Sequence, residues 1–262
     1  MNQFYLICAY ILSAVLGLCV GSFLNVVIYR LPNNMSLATP NSHCPACKYE
    51  LRWYDNIPAL SYLMLGGKCR SCKTHIPFRY TAVELANTVF WLLCVGLFWE
   101  KSIPLACIYM AVLSVFLCVF FIDLEHMIIF DRFQIILLVL AIASIFFDED
   151  YGWLSHVIGG VGGFAAFCFI SWGFEKLTGK EGLGGGDVKL VGVVGLLLGW
   201  ERLLLGLLIA TIPASVIMLI LSKGKKDESR EYPFAPFLVV GFTISIFFGA
   251  QIIGWYLSLL GL

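Results

Sequence analysis

Residues 103–126 read IPLACIYMAVLSVFLCVFFIDLEH, and this stretch decides the class of fold. Residues 103–122 contain no charged side chain, and about 20 apolar residues are needed to cross the hydrocarbon core of a bilayer. The apolar run is uninterrupted until Asp123, which is followed by Glu125 and His126. The stretch therefore predicts a membrane-spanning helix that ends in a carboxylate.

The composition of the whole chain agrees with a membrane location. Of its 262 residues, 60% are hydrophobic and 13% are charged, and the mean hydropathy is +0.89. A soluble domain carries about 25% charged residues. Seventeen basic residues balance seventeen acidic ones, so no net charge favours nucleic acid as a partner. The lipid bilayer is the surrounding that this composition predicts.

Seven further apolar runs are candidates to cross the bilayer. The eight predicted spans are residues 4–29, 81–99, 103–122, 128–147, 153–174, 190–200, 203–221 and 237–260. The sixth run is short and rich in glycine. The predicted fold class is an all-α polytopic membrane protein with about eight transmembrane helices.

The positions of Lys and Arg predict which side of the membrane each connection faces. Fifteen of the seventeen basic residues lie in or beside the connections after the first, third, fifth and seventh spans, and the exceptions are Lys101 and Arg202. Cytoplasmic connections are enriched in Lys and Arg. These four connections are therefore predicted to be cytoplasmic, with both termini on the opposite side.

Residues 31–80 form the only connection long enough to be a small domain. The predicted organisation is a first transmembrane helix (residues 1–30), a cytoplasmic four-cysteine domain (31–80) and a membrane domain of about seven helices (81–262). The middle domain has two CxxC motifs, and two such motifs supply the four thiolates of a tetrahedral zinc site. The predicted ligands are Cys44, Cys47, Cys69 and Cys72.

Other uses of these cysteines are less favoured. A thioredoxin-like redox site would need one CxxC motif at a helix start in a βαβ unit, and a reducing cytoplasm argues against structural disulfides. His43 and His75 flank the motifs and could replace a cysteine as ligand, although surface positions are the simpler interpretation. Four thiolates leave no coordination position for water, so the predicted zinc is structural.

Three aspartates mark span boundaries on the predicted cytoplasmic side: Asp123, Asp131 and Asp187. Asp131 and Asp187 could each be an ordinary acidic residue at a helix N-terminus. Asp123 fits that explanation less well because it ends an apolar run, and carboxylates near membrane spans point to function. Two facing carboxyls can share a proton, activate a water against a peptide carbonyl and protonate the departing amine.

Residues 184–186, three consecutive glycines, precede Asp187. Without side chains they would let a substrate backbone lie close to the carboxylate. A helical substrate must be held extended to be cut, and a glycine-rich edge could supply main-chain partners for it.

Taken together, these motifs resemble the type IV prepilin peptidases, which are membrane aspartyl proteases of the GxGD type. The matching residues are 21–32 (GSFLNVVIYRLP), 42–47 (SHCPAC), 56–58 (NIP), 61–63 (SYL), 67–72 (GKCRSC), 79–80 with Glu84, 122–131 and 184–190 (GGGDVKL). The resemblance implies that Asp123 and Asp187 are the catalytic pair. It also implies a supporting set, which is Asp131, Gly184, Gly186 and Lys189.

The resemblance further implies an activity and a location. Members of this family cut a short basic leader from prepilins or pseudopilins, after a Gly and just before an apolar helix, and so serve type IV pili or type II secretion. Many also N-methylate the new terminus with S-adenosylmethionine. The expected location is the bacterial inner membrane, with the active site at the cytoplasmic face. Phe130 departs from the family pattern, since relatives commonly have Pro before the second aspartate.

Two other classes of function remain as alternatives. An ion-coupled transporter could use the same carboxylates, although coupling sites usually lie near the middle of the bilayer. A zinc-bearing assembly scaffold would account for the cysteines but not for the second carboxylate.

Overall fold

The computed structural model describes residues 3–179, 182–222 and 232–261. Within these ranges the chain is helical and forms no strand, only the isolated bridges His43↔Glu50 and Lys68↔His75. Lys180 and the charged segment 223–231 lie outside the described residues. Their basic residues were among those used to predict which connections are cytoplasmic.

Ten α-helices account for most of the described chain. They are α1 (Gln3–Arg30), α2 (Leu60–Met64), α3 (Arg79–Phe98), α4 (Ile103–His126), α5 (Asp131–Ser144), α6 (Trp153–Val157), α7 (Gly163–Thr178), α8 (Gly185–Leu198), α9 (Trp200–Ser222) and α10 (Ala235–Leu259). A 3-10 turn at Trp53–Asn56 precedes α2, and a π-helical turn at Ile158–Gly162 joins α6 to α7.

Six helical segments of the described chain are long and apolar enough to cross a membrane. They are Gln3–Arg30, Arg79–Phe98, Ile103–His126, Trp153–Thr178, Trp200–Ile220 and Ala235–Leu259. The two other predicted spans correspond to α5 and α8, which have 14 residues each and are about 21 Å long. The predicted all-helical membrane fold is confirmed, and the count of eight spans holds only approximately.

The two short helices differ from their predicted bounds for a local reason. The predicted span 128–147 contains an apolar connection, because α4 continues to His126 and ends at Met127, whose φ of 55° is left-handed. The predicted span 190–200 begins too late and ends too late. Its helix ends at Leu198 because Gly199, with φ 80°, redirects the chain into α9.

The chain forms two compact units, Met1–Lys101 and Ser102–Leu262. In the first unit α1 packs along α3. A Cβ on Gly21 would lie 2.7 Å from the Cα of Glu84, and Asn87 Nδ2 donates to the Gly17 carbonyl at 2.8 Å. This close packing places α3 in the same compact unit as α1, so the boundary between the units follows Lys101. The division into three domains by function, at residues 30 and 80, remains a prediction.

In the second unit α8 is the central helix. It packs against α5, α7, α9 and the π-helical turn, while α10 packs against α4 and α9. Leu190, Leu197 and Leu198 of α8 are fully buried, as is Phe116 of α4. The short helix α8 is therefore enclosed by protein rather than exposed along its length.

A buried ion pair fastens one end of this unit. Arg202 Nη2 donates to Asp148 Oδ2 at 2.7 Å, and Arg202 Nη1 donates to the Tyr109 hydroxyl at 3.2 Å. The guanidinium lies 4.0 Å from the centre of the Tyr151 ring. Tyr109 lies near the start of α4 and Asp123 near its end, so the ion pair and Asp123 occupy opposite ends of the unit.

Candidate active site

Asp123 lies in the last turn of α4, where its side chain is buried with 5% of the residue exposed. Its Oδ2 accepts a hydrogen bond of 3.2 Å from the backbone N–H of Ala235, the first residue of α10. The first N–H groups of a helix have no partner within the helix. The start of α10 thus supplies the donor that orients Asp123.

Asp187 lies in the first turn of α8 and is half-buried. Its backbone N–H donates to the Gly184 carbonyl at 3.0 Å, which fixes the turn that leads into the helix. Its Oδ1 is buried and has no hydrogen-bond partner among the described residues. This oxygen is therefore an acceptor that the described chain leaves without a donor.

The structure brings Asp123 and Asp187 together. Their carboxyls are close enough to interact electrostatically, although they belong to different helices. Both α4 and α8 pack against α5, and the start of α8 contacts α5 through the Gly186 carbonyl and Gln134. Two carboxyls in such a place suit general acid–base chemistry on one substrate.

Asp131 is paired with Lys189, apart from the Asp123–Asp187 pair. It begins α5 and is exposed, and its Oδ1 accepts a hydrogen bond of 2.7 Å from Lys189 Nζ. This exposed ion pair joins the start of α5 to the first turns of α8. Asp131 and Lys189 thus contact each other beside the candidate site.

The glycines before Asp187 have three different surroundings. A Cβ on Gly184 would lie 3.1 Å from Asp187 Oδ2, and a Cβ on Gly186 would lie 3.1 Å from the Cβ of Ile129. At Gly185 no atom lies within 4 Å of that position. Space beyond the local backbone is therefore open at Gly185, whereas Gly184 and Gly186 face the protein itself.

Two residues that the sequence analysis did not single out contact this site. They are Ala235, which holds Asp123, and Gln134 of α5, whose Nε2 donates to the Gly186 carbonyl at 3.0 Å. Ala235 acts through its backbone N–H, which any residue except Pro would provide. No feature of either residue type in the sequence indicated these contacts.

The four predicted metal ligands also come together. The sulfur atoms of Cys44, Cys47, Cys69 and Cys72 all lie within 4.8 Å of one another, and all four cysteines are free of disulfides. The Cys44–Cys72 and Cys47–Cys69 sulfur distances are 3.8 and 3.9 Å. Four sulfurs at about 2.3 Å from a tetrahedral zinc would be about 3.8 Å apart. The geometry fits a four-thiolate metal site.

The two CxxC motifs have the same backbone fold. In the first, Cys44 N–H donates to the Tyr49 carbonyl and Lys48 N–H donates to the Cys44 carbonyl, each at 2.9 Å. In the second, the equivalent bonds link Cys69 with Thr74 and Lys73 with Cys69, at 2.9 and 3.1 Å. Both lysines have left-handed φ angles, 59° and 61°. Each motif therefore presents two sulfurs from a similar turn.

The predicted histidine alternatives are not needed to complete the metal site. The four sulfurs form, without a histidine, a group in the described chain that could hold a metal ion. His43 and His75 instead form the bridges with Glu50 and Lys68 that close the two turns. A hydrogen bond with the Thr74 hydroxyl lowers the pKa of Cys72 to about 6, whereas burial and hydrogen bonds with the other three cysteines raise the pKa of Cys47 to about 11.

Asp55 joins the two cysteine turns. Its Oδ1 accepts from Arg70 Nε at 2.6 Å, and its Oδ2 accepts from the Tyr49 hydroxyl and the Arg52 N–H, both at 3.3 Å. Burial alone would raise the pKa of Asp55, but the bonds from Arg70 and Arg52 outweigh it and hold the pKa below its ordinary value. The sequence analysis did not identify this contact between the motifs.

Comparison with known proteins gives two family matches. Residues 15–98 match the Bacterial Peptidase A24 N-terminal domain, and residues 110–219 match the Type IV leader peptidase family. No solved structure matches the chain.

Several curated relatives match most of this chain. A prepilin leader peptidase/N-methyltransferase of Pseudomonas aeruginosa is 34% identical, over 97% of this chain and 95% of the relative. Its counterpart in Stutzerimonas stutzeri is 34% identical over 95% and 94% of the two chains. A third, from Myxococcus xanthus, is 37% identical over 83% of this chain and 65% of the relative.

Proposed function

The chain belongs to the type IV leader peptidase family, and we propose that it cleaves the leader from prepilins or pseudopilins with Asp123 and Asp187 as its catalytic pair. The observation that supports this assignment best is that the buried carboxyl of Asp123, at the end of α4, and the half-buried carboxyl of Asp187, at the start of α8, interact electrostatically. The relatives' names also include an N-methyltransferase, so the proposed function has two activities.

The proteolytic step uses one ionised and one protonated carboxyl. The ionised carboxyl takes a proton from water as the water oxygen attacks the scissile carbonyl. The protonated carboxyl then gives its proton to the departing amine as the C–N bond breaks. Two nearby carboxyls are suited to this division because both cannot readily be ionised together. The free Oδ1 of Asp187 is available to the water or the substrate.

The proposed site lies at the cytoplasmic face of a bacterial inner membrane. This placement rests on the enrichment of basic residues in the odd-numbered connections and on the positions of Asp123 and Asp187 at helix ends. By the same charge rule a prepilin keeps its basic leader in the cytoplasm. Its scissile bond then lies at the depth of the two carboxyls, and its apolar helix enters from the bilayer.

The four-cysteine group is proposed to hold one structural zinc through Cys44, Cys47, Cys69 and Cys72. The sulfur geometry and the four thiolates support zinc, and a closed four-sulfur set leaves no position for a reacting water. Bound zinc would join the two CxxC turns and would take no part in hydrolysis.

The second activity is proposed to transfer a methyl group from S-adenosylmethionine to the new N-terminal amine. The amine nitrogen forms a bond to the methyl carbon as the bond between that carbon and the donor sulfur breaks. The amine then releases one proton. We assign no side chain to this step.

The transporter alternative is not supported. Both family matches are to peptidases. Asp123 and Asp187 also lie in a last and a first helical turn, whereas ion-coupling sites usually lie near the middle of the bilayer.

Mass spectrometry of a single substrate tests both proposed activities. The substrate is a peptide with a basic leader, a Gly and an apolar helix, mixed with the detergent-purified protein with and without S-adenosylmethionine. We expect loss of the leader in both mixtures and the added mass of one methyl group only with the donor. An intact peptide in both mixtures, with protein that is folded and zinc-loaded, would contradict the peptidase assignment.

A further inference from the structure

Gln134 is a buried carboxamide beside the candidate site. It lies on α5 one turn after Asp131, and 6% of the residue is exposed. A glutamine is mostly exposed in proteins, and its carboxamide has two donors and an acceptor to satisfy when it is buried. Each of these atoms therefore needs a hydrogen-bond partner.

One side of this carboxamide is committed to the turn that presents Asp187. Gln134 Nε2 donates to the carbonyl of Gly186, the residue before Asp187, at 3.0 Å. Because a carbonyl oxygen only accepts hydrogen bonds, the amide nitrogen must face Gly186 and the amide oxygen must face away from it. The hydrogen bond therefore fixes the orientation of the whole group.

The other side of the carboxamide has no partner. Gln134 Oε1 is buried and accepts no hydrogen bond from any group of the described chain. Burying an acceptor without a donor is unfavourable, and native proteins rarely leave one so. A free acceptor next to an active-site turn thus points to a donor that arrives with a ligand.

An extended substrate brings such donors. When the substrate helix is unwound for cleavage, its backbone N–H groups lose their helical partners and need new acceptors. Gly185, adjacent to Gly186, leaves open space for a backbone to approach. Asp187 Oδ1 also has no partner in the described chain. The proposed catalytic carboxyl of Asp187 and the unpartnered Oε1 of Gln134 therefore both lie beside the turn that contains Gly186.

We propose that Gln134 Oε1 accepts a backbone N–H of the substrate next to the scissile bond, while Gln134 Nε2 holds the turn that carries Asp187. This inference rests on the proposed peptidase function. It makes Gln134 a substrate-binding residue that recognises the main chain, so it aligns the scissile bond with Asp187 and does not discriminate between substrate side chains.

Ester substitution in the substrate tests this contact. One backbone amide at a time beside the scissile bond is replaced by an ester, which removes a single N–H, and the scissile bond itself stays an amide. We compare the wild type, Gln134→Met and Gln251→Met. The last variant is the matched control, since Gln251 is an exposed glutamine of the membrane helix α10.

We expect one ester position to lower kcat/KM roughly threefold to tenfold in the wild type and in Gln251→Met. Gln134→Met should cleave the all-amide substrate more slowly by a similar factor and show no further loss with that ester. Should Gln134→Met not fold, Gln134→Leu also removes the acceptor oxygen and should likewise show no further loss with that ester.

Two results would overturn the inference at different levels. An equal ester penalty in the wild type and in folded Gln134→Met, or no penalty at any position in the wild type, would remove Gln134 as the acceptor while leaving the peptidase intact. Failure of the folded wild type to cleave the all-amide substrate would remove both proposals.

Discussion

The two carboxyls of the candidate pair have unequal surroundings. Asp123 is held by the N–H of Ala235, whereas Asp187 Oδ1 has no partner in the described chain. An aspartyl pair needs an acid and a base at once. Unequal surroundings let two residues of the same type hold their shared proton unequally.

Replacing either carboxyl by an amide should abolish proteolysis. Asn has nearly the shape of Asp but cannot exchange a proton at neutral pH, and general acid–base terms amount to about 10²–10⁴-fold each. Asp123→Asn and Asp187→Asn should therefore lower kcat by at least this factor without unfolding the protein. Timed mass spectrometry of the peptide measures the loss.

A matched control for this prediction is Asp150→Asn, since Asp150 is exposed and lies in the connection after α5. It should keep the wild-type rate. Near-normal turnover by either Asp123→Asn or Asp187→Asn would remove that residue from the catalytic pair.

The glycines should separate a packing effect from a substrate effect. Gly186→Val would push against the Cβ of Ile129 and should destabilise the fold by about 1–3 kcal/mol as well as lower cleavage. Gly185→Ala meets open space in a helical turn, so it should leave the melting temperature unchanged or raise it, and lower cleavage alone. Thermal unfolding in detergent and peptide cleavage distinguish the two.

A second substitution checks the cause. Ile129→Ala combined with Gly186→Val should recover the stability lost by Gly186→Val alone. If Gly185→Ala cleaves at the wild-type rate, the substrate backbone does not pass over Gly185.

At the level of elements, the four-cysteine site is built from two similar turns rather than from a helix or a sheet. Each turn is closed by its own backbone hydrogen bonds and an isolated bridge. Such short turns have little core of their own, and metal binding commonly supplies the folding free energy of small domains of this kind.

Metal content should depend on every cysteine of the site. The wild type should hold about one zinc per chain, and Cys44→Ser or Cys72→Ser should lose it. Cleavage should fall less than in the aspartate variants, because the proposed zinc has a structural role. Elemental analysis of reduced protein measures the metal, with Cys168→Ser as the control outside the site. Metal-free wild type with full activity would contradict the assignment.

The contacts of Asp55 with Arg70 and Arg52, which join the two cysteine turns, should weaken in acid. Asp55 has a lowered pKa in the folded state, so it contributes stability above the ordinary Asp range of about 4, and this contribution disappears as the pH falls through the lowered value. The stability difference between wild type and Asp55→Asn should therefore be largest near neutral pH and shrink in acid.

Limited proteolysis of residues 31–80 across pH, in both proteins, measures this difference. Acid also releases zinc from thiolates, so the metal content of both proteins is measured at each pH. A difference that stays constant from neutral to strongly acid pH would show that Asp55 is not ionised in the link.

On the scale of the whole molecule, the second unit is fastened at the end opposite the carboxyls. Arg202 of α9 contacts Asp148 after α5 and Tyr109 of α4, and its carbonyl accepts from Ser245 of α10. Four parts of the unit therefore meet at Arg202, two of them through its guanidinium and α10 through its backbone carbonyl. This arrangement holds the helices together away from the site.

Breaking one side of this ion pair should be severe. Arg202→Met leaves Asp148 buried without its partner and should cost about 3–5 kcal/mol, while Arg202→Met with Asp148→Leu should recover much of the loss. Thermal unfolding in detergent measures both, and Lys101→Met, at an exposed residue, serves as the control. A single variant as stable as the wild type would show that the pair contributes nothing to the fold.

The sequence alone determined the membrane class, the approximate spans, the cysteine group and the two candidate carboxyls. These features have local signatures: a long apolar run, two CxxC spacings, and charged residues where a run stops. The bounds of α5 were not predictable in this way, because an apolar connection and an apolar helix have the same hydropathy.

Only the tertiary structure revealed the contacts between distant segments. Three such contacts join residues that are far apart in the chain. They are the hydrogen bond from the Ala235 N–H to Asp123, the hydrogen bond from the Gln134 carboxamide to Gly186, and the Arg202–Asp148 ion pair. No local pattern encodes such pairs, since each depends on which helices pack together. The sequence therefore named the candidate reacting groups, while the packing of α4, α5, α8 and α10 decided what holds them in place.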